Sequence, residues 1–241
     1  MFELTECWDR LREYYKKHRI KTILLYLLLI FYSAIPVFQV PFLDFHTIRI
    51  SSLMDQRAAE NFLLYYPSQS RTSLADISPV LLKSIIAMED DAFFVHRGID
   101  WNQLELSMKG NKRSSKRKRG GSTITMQLAK NAYFTTNRSV IRKVKELMVT
   151  ARMEKEVSKQ GIMKNYVNII EWGDGIFGAE KAANIYFDTD AANLNVNQAS
   201  RMAAVIPAPL RYKPNENSRY VTRRAGIIRG RYNSVVLFPE K

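Results

Sequence analysis

The chain is poor in several residues that build sites by themselves. It has one cysteine, Cys7, in 241 residues, so no internal disulfide can form, and that count fits either side of a bacterial membrane. Three scattered histidines, with no Cys/His cluster at zinc spacing, argue against a zinc or His-metal site. Acidic residues are short, 23 against 37 basic, and the net charge of +14 calls for an acidic partner or an anionic surface. No alternating strand pattern longer than four residues stands out, so a sheet-built domain is not expected.

Charge itself is missing from one stretch. Ile23 to Val40, eighteen residues, carries none. As a helix it would reach about 27 Å, enough to cross a hydrocarbon core. Arg10, Arg12, Lys16, Lys17, Arg19 and Lys21 precede it, which places residues 1–22 in the cytoplasm as a basic tail and the remainder outside. A cleaved signal peptide would need a small-x-small site, and SAIPVFQVP offers a poor one. A buried core helix would need an amphipathic pattern that the run lacks. The reading is a single retained transmembrane helix over 23–40.

Beyond it, 41–74 is irregular and reads as a stalk and approach to the core, with a short helix between Met54 and Tyr66. Ser78-Pro79 then reads as a helix start. Leu82, Ile85, Ile86 and Glu89 follow at i, i+3, i+4 and i+7, one face of a helix. A carboxylate ending an apolar stripe is partly desolvated, which raises its pKa and improves it as a proton acceptor. An acidic helix end capped by the aromatic cluster of Phe93 and Phe94 is the competing reading. Asp100 can cap a helix through Leu104 and Met108. Residues 111–119, NKRSSKRKR, hold six basic residues in nine and nothing apolar, so they read as a solvated loop. Nucleic acid or lipid headgroups would attract such a run, and the nearby anchor favours lipid.

Gly120-Gly121 lead into Ser122, read as the N-cap of a helix whose exposed N–H groups suit an anion. Thr123, Gln127, Lys130 and Asn131 share its polar face, and Met126 lies at the border beside Lys130. Arg138 and Ser139 open the next helix, with Val140, Val144, Leu147, Met148 and Ala151 as its buried side and Arg142, Lys143 and Glu146 elsewhere on it. A solvated face explains this mix of charges, and so does a two-helix pocket for a pyrophosphate, which also explains the glycines. Ser158 caps a helix running to Trp172. Gly173, Gly175 and Gly178 fit G-x-G-x-x-G, but the preceding spacing is helical and no acidic residue follows at the required distance, so they read as turning one helix against the next. Asn195 and Ser218 cap two further helices. The domain over 75–235 reads as mainly α.

These motifs resemble, in order and spacing, those of the peptidoglycan glycosyltransferases, family 51. Glu89-Asp90-x-x-Phe93-x-x-His96-x-Gly98 is similar to the first signature, GGSTITMQLAKN (120–131) to the second, and Arg142-Lys143-x-x-Glu146 to the third. Residues 162–168 resemble the fourth, and Arg223-Arg224 begins the fifth. Departures stand at Met126, where the family has Gln, at Lys164, where an acidic residue is usual, and at Arg231, where Met is usual.

The resemblance implies a lysozyme-like helical lobe with a smaller membrane-facing jaw lobe, behind the transmembrane helix and with no room for a transpeptidase domain. It implies polymerisation of lipid II into β-1,4 glycan strands, with inversion at MurNAc C1 and release of undecaprenyl pyrophosphate. Glu89 would be the general base, and Ser122, Thr123, Gln127, Lys130, Asn131, Arg138 and Lys143 would bind the donor. Glu146 matches the second catalytic acidic position, with two readings open: orienting those cations, or holding a divalent metal (Mg or Mn). No other cofactor is implied. The implied partners are lipid II, the growing glycan strand, the membrane and proteins of cell-wall synthesis or division, without nucleic acid. The implied location is the bacterial inner membrane, single-pass, with the catalytic domain periplasmic. The competing enzyme is a muramidase or lytic transglycosylase, which has no use for a cationic donor pocket. The competing non-enzyme is a tethered binding protein using 111–119 on an anionic polymer. A reporter fused after Lys241 is expected to be active only outside the cytoplasm, and signal from a cytoplasm-only reporter overturns that topology.

Overall fold

The computed structural model describes residues 2–33, 39–62, 68–113, 121–137 and 139–239, and they divide into two units, 1–38 and 39–241. The first unit holds helices α1 (Phe2–Lys17) and α2 (Arg19–Ser33). On α2 the side chains of Leu24, Leu25, Tyr26, Leu27 and Leu28 are all exposed. Among the described residues no helix is long and apolar enough to cross a membrane. Residues 34–38 of the span expected over 23–40 lie outside the described residues, and Val40, its last residue, is buried in a short 3-10 turn of the second unit.

The second unit is mainly helical. After α3 (Ser52–Glu60) and a short strand β1 (Ser68–Gln69) comes α4 (Pro79–Glu89), then α5 (Trp101–Arg113), α6 (Ile124–Tyr133), α7 (Val140–Glu156) and α8 (Lys159–Ile169). Strands β2 (Glu171–Gly173) and β3 (Ile176–Phe177) lead into α9 (Ala179–Phe187), and α10 (Val196–Val205) and α11 (Arg219–Arg229) follow. α4 packs on α10 and α11, while α6 packs on α7 and α8. The stripe read in the sequence is buried as expected: Leu82, Ile85 and Ile86 sit in the core with Leu81. Ser139, Ser158, Asn195 and Ser218 each accept a backbone N–H at the start of their helices, as capping requires.

Three local expectations are corrected. α8 stops at Ile169, not Trp172, because the chain turns extended to pair β2 with β3, completing a sheet of order β1-β3-β2. Glu171 on β2 is buried and gripped by Arg57 of α3 through two bonds of 2.7 and 2.9 Å. The glycine run therefore spans a hairpin. A Cβ on Gly173 would lie 2.1 Å from the hydroxyl of Tyr186, which donates to the Trp172 carbonyl. That glycine is needed for close packing. On α7 the buried side is Glu146, Val149, Thr150 and Met153, while Val140, Ile141, Val144 and Met148 are exposed. The apolar spacing follows solvent instead of the core, and the inward side carries Glu146, which is paired within the helix. Met126, expected beside Lys130 at the border of a polar face, is 1% exposed and belongs to the core.

Residues 39–60, on the approach to the core, carry buried side chains of the same unit, among them Val40, Leu43, Leu53, Met54 and Ala58. Two asparagines of α8 hold the extended chain there. Asn165 donates to the carbonyls of Leu43 (2.8 Å) and Gly161 (2.9 Å) and accepts from the amide of Ile48 (2.9 Å). Asn168 pairs both ways with the backbone of Thr72. Lys164, one of the family departures, donates to the carbonyl of Asp44 at 2.7 Å, so it serves this same junction. Asn165→Leu keeps the volume but leaves the Ile48 amide and the Leu43 carbonyl unpaired. The expected loss is about 3 kcal/mol of stability, measured by chemical denaturation, and an unchanged midpoint would show that the amide is no clamp.

Candidate active site

Glu89 ends α4, and its carboxylate meets α6. Gln127 Nε2 donates to Glu89 Oε2 at 2.8 Å, and the hydroxyl of Tyr166 on α8 donates to Gln127 Oε1 at 3.0 Å. Burial pushes the Glu89 carboxyl above its ordinary value. The Gln127 hydrogen bond and the charges of Arg224 and Lys130 pull it down, and Asp90 pushes it up. A carboxylate raised by burial is the stronger proton acceptor when ionised.

The loop after Glu89 fixes that geometry. Asp90 is buried and accepts from the Ile124 amide, at the first turn of α6, at 2.9 Å, and from His96 Nε2 at 2.8 Å. His96 Nδ1 accepts the Gly98 amide at 3.0 Å, so the ring proton sits on Nε2. Gly98 has φ +86°, and a Cβ there would meet Glu154 Cγ at 2.8 Å and Thr150 Cγ2 at 2.9 Å. Both facts demand glycine. Its carbonyl accepts the Thr123 hydroxyl at 2.6 Å. Lys159 closes the loop from beneath, donating to the His96 carbonyl, pairing with Glu154 and lying 4.5 Å from the centre of the Phe93 ring.

The N-cap of α6 is Thr123, one residue after the expected Ser122. Thr123 accepts from the Met126 amide while donating to Gly98, so its hydroxyl is occupied within the protein, and Ser122 is exposed just ahead of it. A capping residue must have its side chain over the first turn, and the Asp90–Ile124 bond sets where that turn begins. Asn131 is buried further along the helix.

Lys130 is partly buried, one turn along α6 from Gln127, and has no hydrogen bond or ion pair among the described residues. Burial lowers its pKa, the charges of Arg142 and Lys143 lower it further, and Glu146 and Glu89 raise it. Glu146 is buried and doubly paired, with Arg142 Nη1 on Oε2 and Lys143 Nζ on Oε1, each at 2.5 Å. Arg142 also donates to the Asn137 carbonyl. With each oxygen held by a cation, Glu146 does not fit a divalent metal, and among the described residues no group of three His, Cys, Asp or Glu side chains gathers to hold one. Of its two open readings, the geometry favours orienting cations. Arg138 lies outside the described residues.

The site thus gathers Glu89, Gln127, Lys130, Lys143 and Glu146 from the expected set. It adds Tyr166 and Arg224, which were not in that set. Arg224 acts on Glu89 from α11, where its guanidinium lies 5.3 Å from the Tyr220 ring, itself stacked on Tyr212 at 4.0 Å. The fifth motif held the signal for Arg224, but only the packing of α11 on α4 brings it to the carboxylate. Tyr166 lies in the stretch 162–168 that resembles the fourth motif, but only its bond to Gln127 brings it to the site.

The arrangement can take a proton at Glu89 and stabilise negative charge beside Lys130. A family model described as Transglycosylase matches residues 56–233. Three proteins, each named a biosynthetic peptidoglycan transglycosylase, are similar to the chain. The one from Laribacter hongkongensis is 40% identical over 161 residues, 67% of this chain and 71% of its own. The one from Methylobacillus flagellatus is 44% identical over 155 residues, 64% and 68% of the two chains. The one from Herminiimonas arsenicoxydans is 44% identical over 161 residues, 67% and 70%. With three quarters of its length in that model and a proton acceptor set beside a cationic pocket, the chain belongs to the transglycosylase family and is a glycosyltransferase.

Proposed function

We propose that the chain polymerises lipid II into the β-1,4 glycan strands of peptidoglycan, and the observation that carries this is the carboxylate of Glu89 set between Gln127 and the Lys130 cation group. Glu89 takes the proton from the acceptor's GlcNAc 4-hydroxyl. The freed oxygen pair attacks C1 of the donor MurNAc, and the bond from C1 to the lipid pyrophosphate breaks with inversion. The departing undecaprenyl pyrophosphate carries its own negative charge, so it needs cations more than it needs an acid. Lys130, partly desolvated and unpaired among the described residues, is the donor-site cation, with Arg138, Lys143 and Arg224 contributing field. Gln127 holds the base, and Ser122, Thr123 and Asn131 line the approach. Glu146 keeps Arg142 and Lys143 in place.

A glycoside hydrolase reading is disfavoured by Glu146 itself. A retaining or inverting hydrolase needs a second carboxyl free to act as nucleophile or to activate water. Both oxygens of Glu146 are engaged by cations.

The proposed setting is the outer face of a bacterial inner membrane, with residues 1–22 cytoplasmic, 23–40 spanning and 75–235 catalytic, the last as a lysozyme-like lobe with a membrane-facing jaw. The uncharged run, the exposed apolar side chains of α2 and those of Val140, Ile141, Val144 and Met148 on α7 support it. The proposed partners are lipid II, the lipid-linked strand, the bilayer and proteins of wall synthesis or division.

The test is turnover on purified lipid II, read as polymer against shortened glycan. Glu89→Gln keeps shape and hydrogen bonding but removes the base, with an expected loss of roughly 10²–10⁴-fold. Near-normal polymerisation would refute the mechanism. Lys130→Ala should cut turnover by about 10²-fold, whereas neutralising the basic residues of 111–119 should cost less and in a salt-dependent way. An inactive loop variant beside an active Lys130→Ala would move the donor pocket elsewhere.

A further inference from the structure

Tyr166 is fully buried, yet its hydroxyl is spent on a side chain of the site and not on backbone. The chemistry of the three groups in line is restrictive. An ionised Glu89 offers only acceptors, so Gln127 must turn its Nε2 toward it. The amide oxygen then faces Tyr166, whose hydroxyl has to donate. A protonated Glu89 would be served by the opposite amide orientation, with Gln127 Oε1 accepting the carboxyl proton and Nε2 facing Tyr166. In that state the Tyr166 proton loses its acceptor, and no other partner for Oη is present among the described residues. A buried hydroxyl left without an acceptor is costly. The two amide orientations are therefore unequal, and Tyr166 makes them so.

We propose that Tyr166 is a positioning residue that locks the Gln127 amide in the orientation that keeps Glu89 ready to accept a proton. This rests on the reading of Glu89 as the base. The other groups facing that carboxylate are Asp90 next to it on α4, Lys130 on α6 and Arg224 on α11. Among the described residues none of them hydrogen-bonds the amide of Gln127, so none substitutes for the lock. The hydroxyl of Tyr166 is itself held protonated, by burial first and then by the charges of Glu89 and Asp90, so it remains a donor throughout the working range.

The experiment follows polymerisation of lipid II by the full chain across pH, for the wild type, Tyr166→Phe, Gln127→Met and the double variant, with thermal melts to confirm folding. Releasing the amide favours protonated Glu89, and a base with a raised pKa is ionised only at higher pH. The acid limb of kcat/KM should therefore move up, by about 0.5–1 pH unit in Tyr166→Phe and at least as far in Gln127→Met. Because Tyr166 acts only through Gln127, adding Tyr166→Phe to Gln127→Met should move the limb no further.

A Tyr166 that merely fills space would lower the rate equally at every pH, and that result overturns the proposal. So does an unmoved limb in either single variant, or an equal Tyr166→Phe shift with and without Gln127. If Tyr166→Phe does not fold, Gln127→Met alone still decides, since an unmoved limb there leaves nothing to lock. Glu89→Gln measured alongside separates the two readings. An active Glu89→Gln removes the base and the lock together, while an inactive Glu89→Gln with an unmoved limb in Tyr166→Phe removes the lock only.

Discussion

The carboxylate of Asp90 is the constraint on which the site depends. One oxygen takes the first free amide of α6 and the other takes the ring of His96. A helix N-terminus leaves its leading N–H groups without intrahelical partners, and a buried anion there satisfies one while meeting the positive end of the helix dipole. The effect is to join the end of the helix that carries Glu89 to the start of the helix that carries Gln127 and Lys130. Everything around the loop supports that joint. Thr123 reaches back to the Gly98 carbonyl, Gly98 lies against Thr150 and Glu154 with no room for a side chain, and Lys159 ties Glu154 to the His96 carbonyl.

Charge in the site is divided by function. Glu146, Arg142 and Lys143 form a neutralising cluster in which the buried anion has two cations upon it. The cations could not stand so close to Lys130 without it. Lys130 then remains the charge left over, partly desolvated and without an ion pair among the described residues. On the other side of Gln127, burial and the charge of Asp90 favour the protonated form of Glu89, while the amide and Arg224 favour the ionised one. The carboxylate at the end of α4 thus meets α6 at Gln127, one helical turn from the cation at Lys130.

Much of this was legible in the residues, for physical reasons that differ from case to case. The placement of Glu89 at the end of an apolar stripe follows from helical spacing, and the caps at Ser139, Ser158, Asn195 and Ser218 follow from hydroxyl and amide chemistry that acts locally. What was not legible depends on partners distant in sequence. On α7 apolar spacing pointed to Val140 and Val144, but the side that packs inward carries Glu146, Thr150 and Met153, and the packing of α7 on α6 decides it. At the start of α6 Ser122 and Thr123 have equal capping chemistry, and the choice is made by the Gly98 carbonyl, twenty-five residues back. The approach of Arg224 to Glu89 requires α11 to lie on α4, which no local pattern announces.

The clamp at Asn165 also sets an order of events during folding. It joins Leu43 to a side chain 122 positions later and Ile48 to one 117 positions later. Local elements such as α10 with its reciprocal cap form from neighbours, but a contact of that separation must first meet the entropy of closing a long loop. A ribosome releases residues 43–48 well before it makes α8, so they leave with no partner to receive them. Their docking is a late step, and it adjoins Tyr166, the next residue along α8.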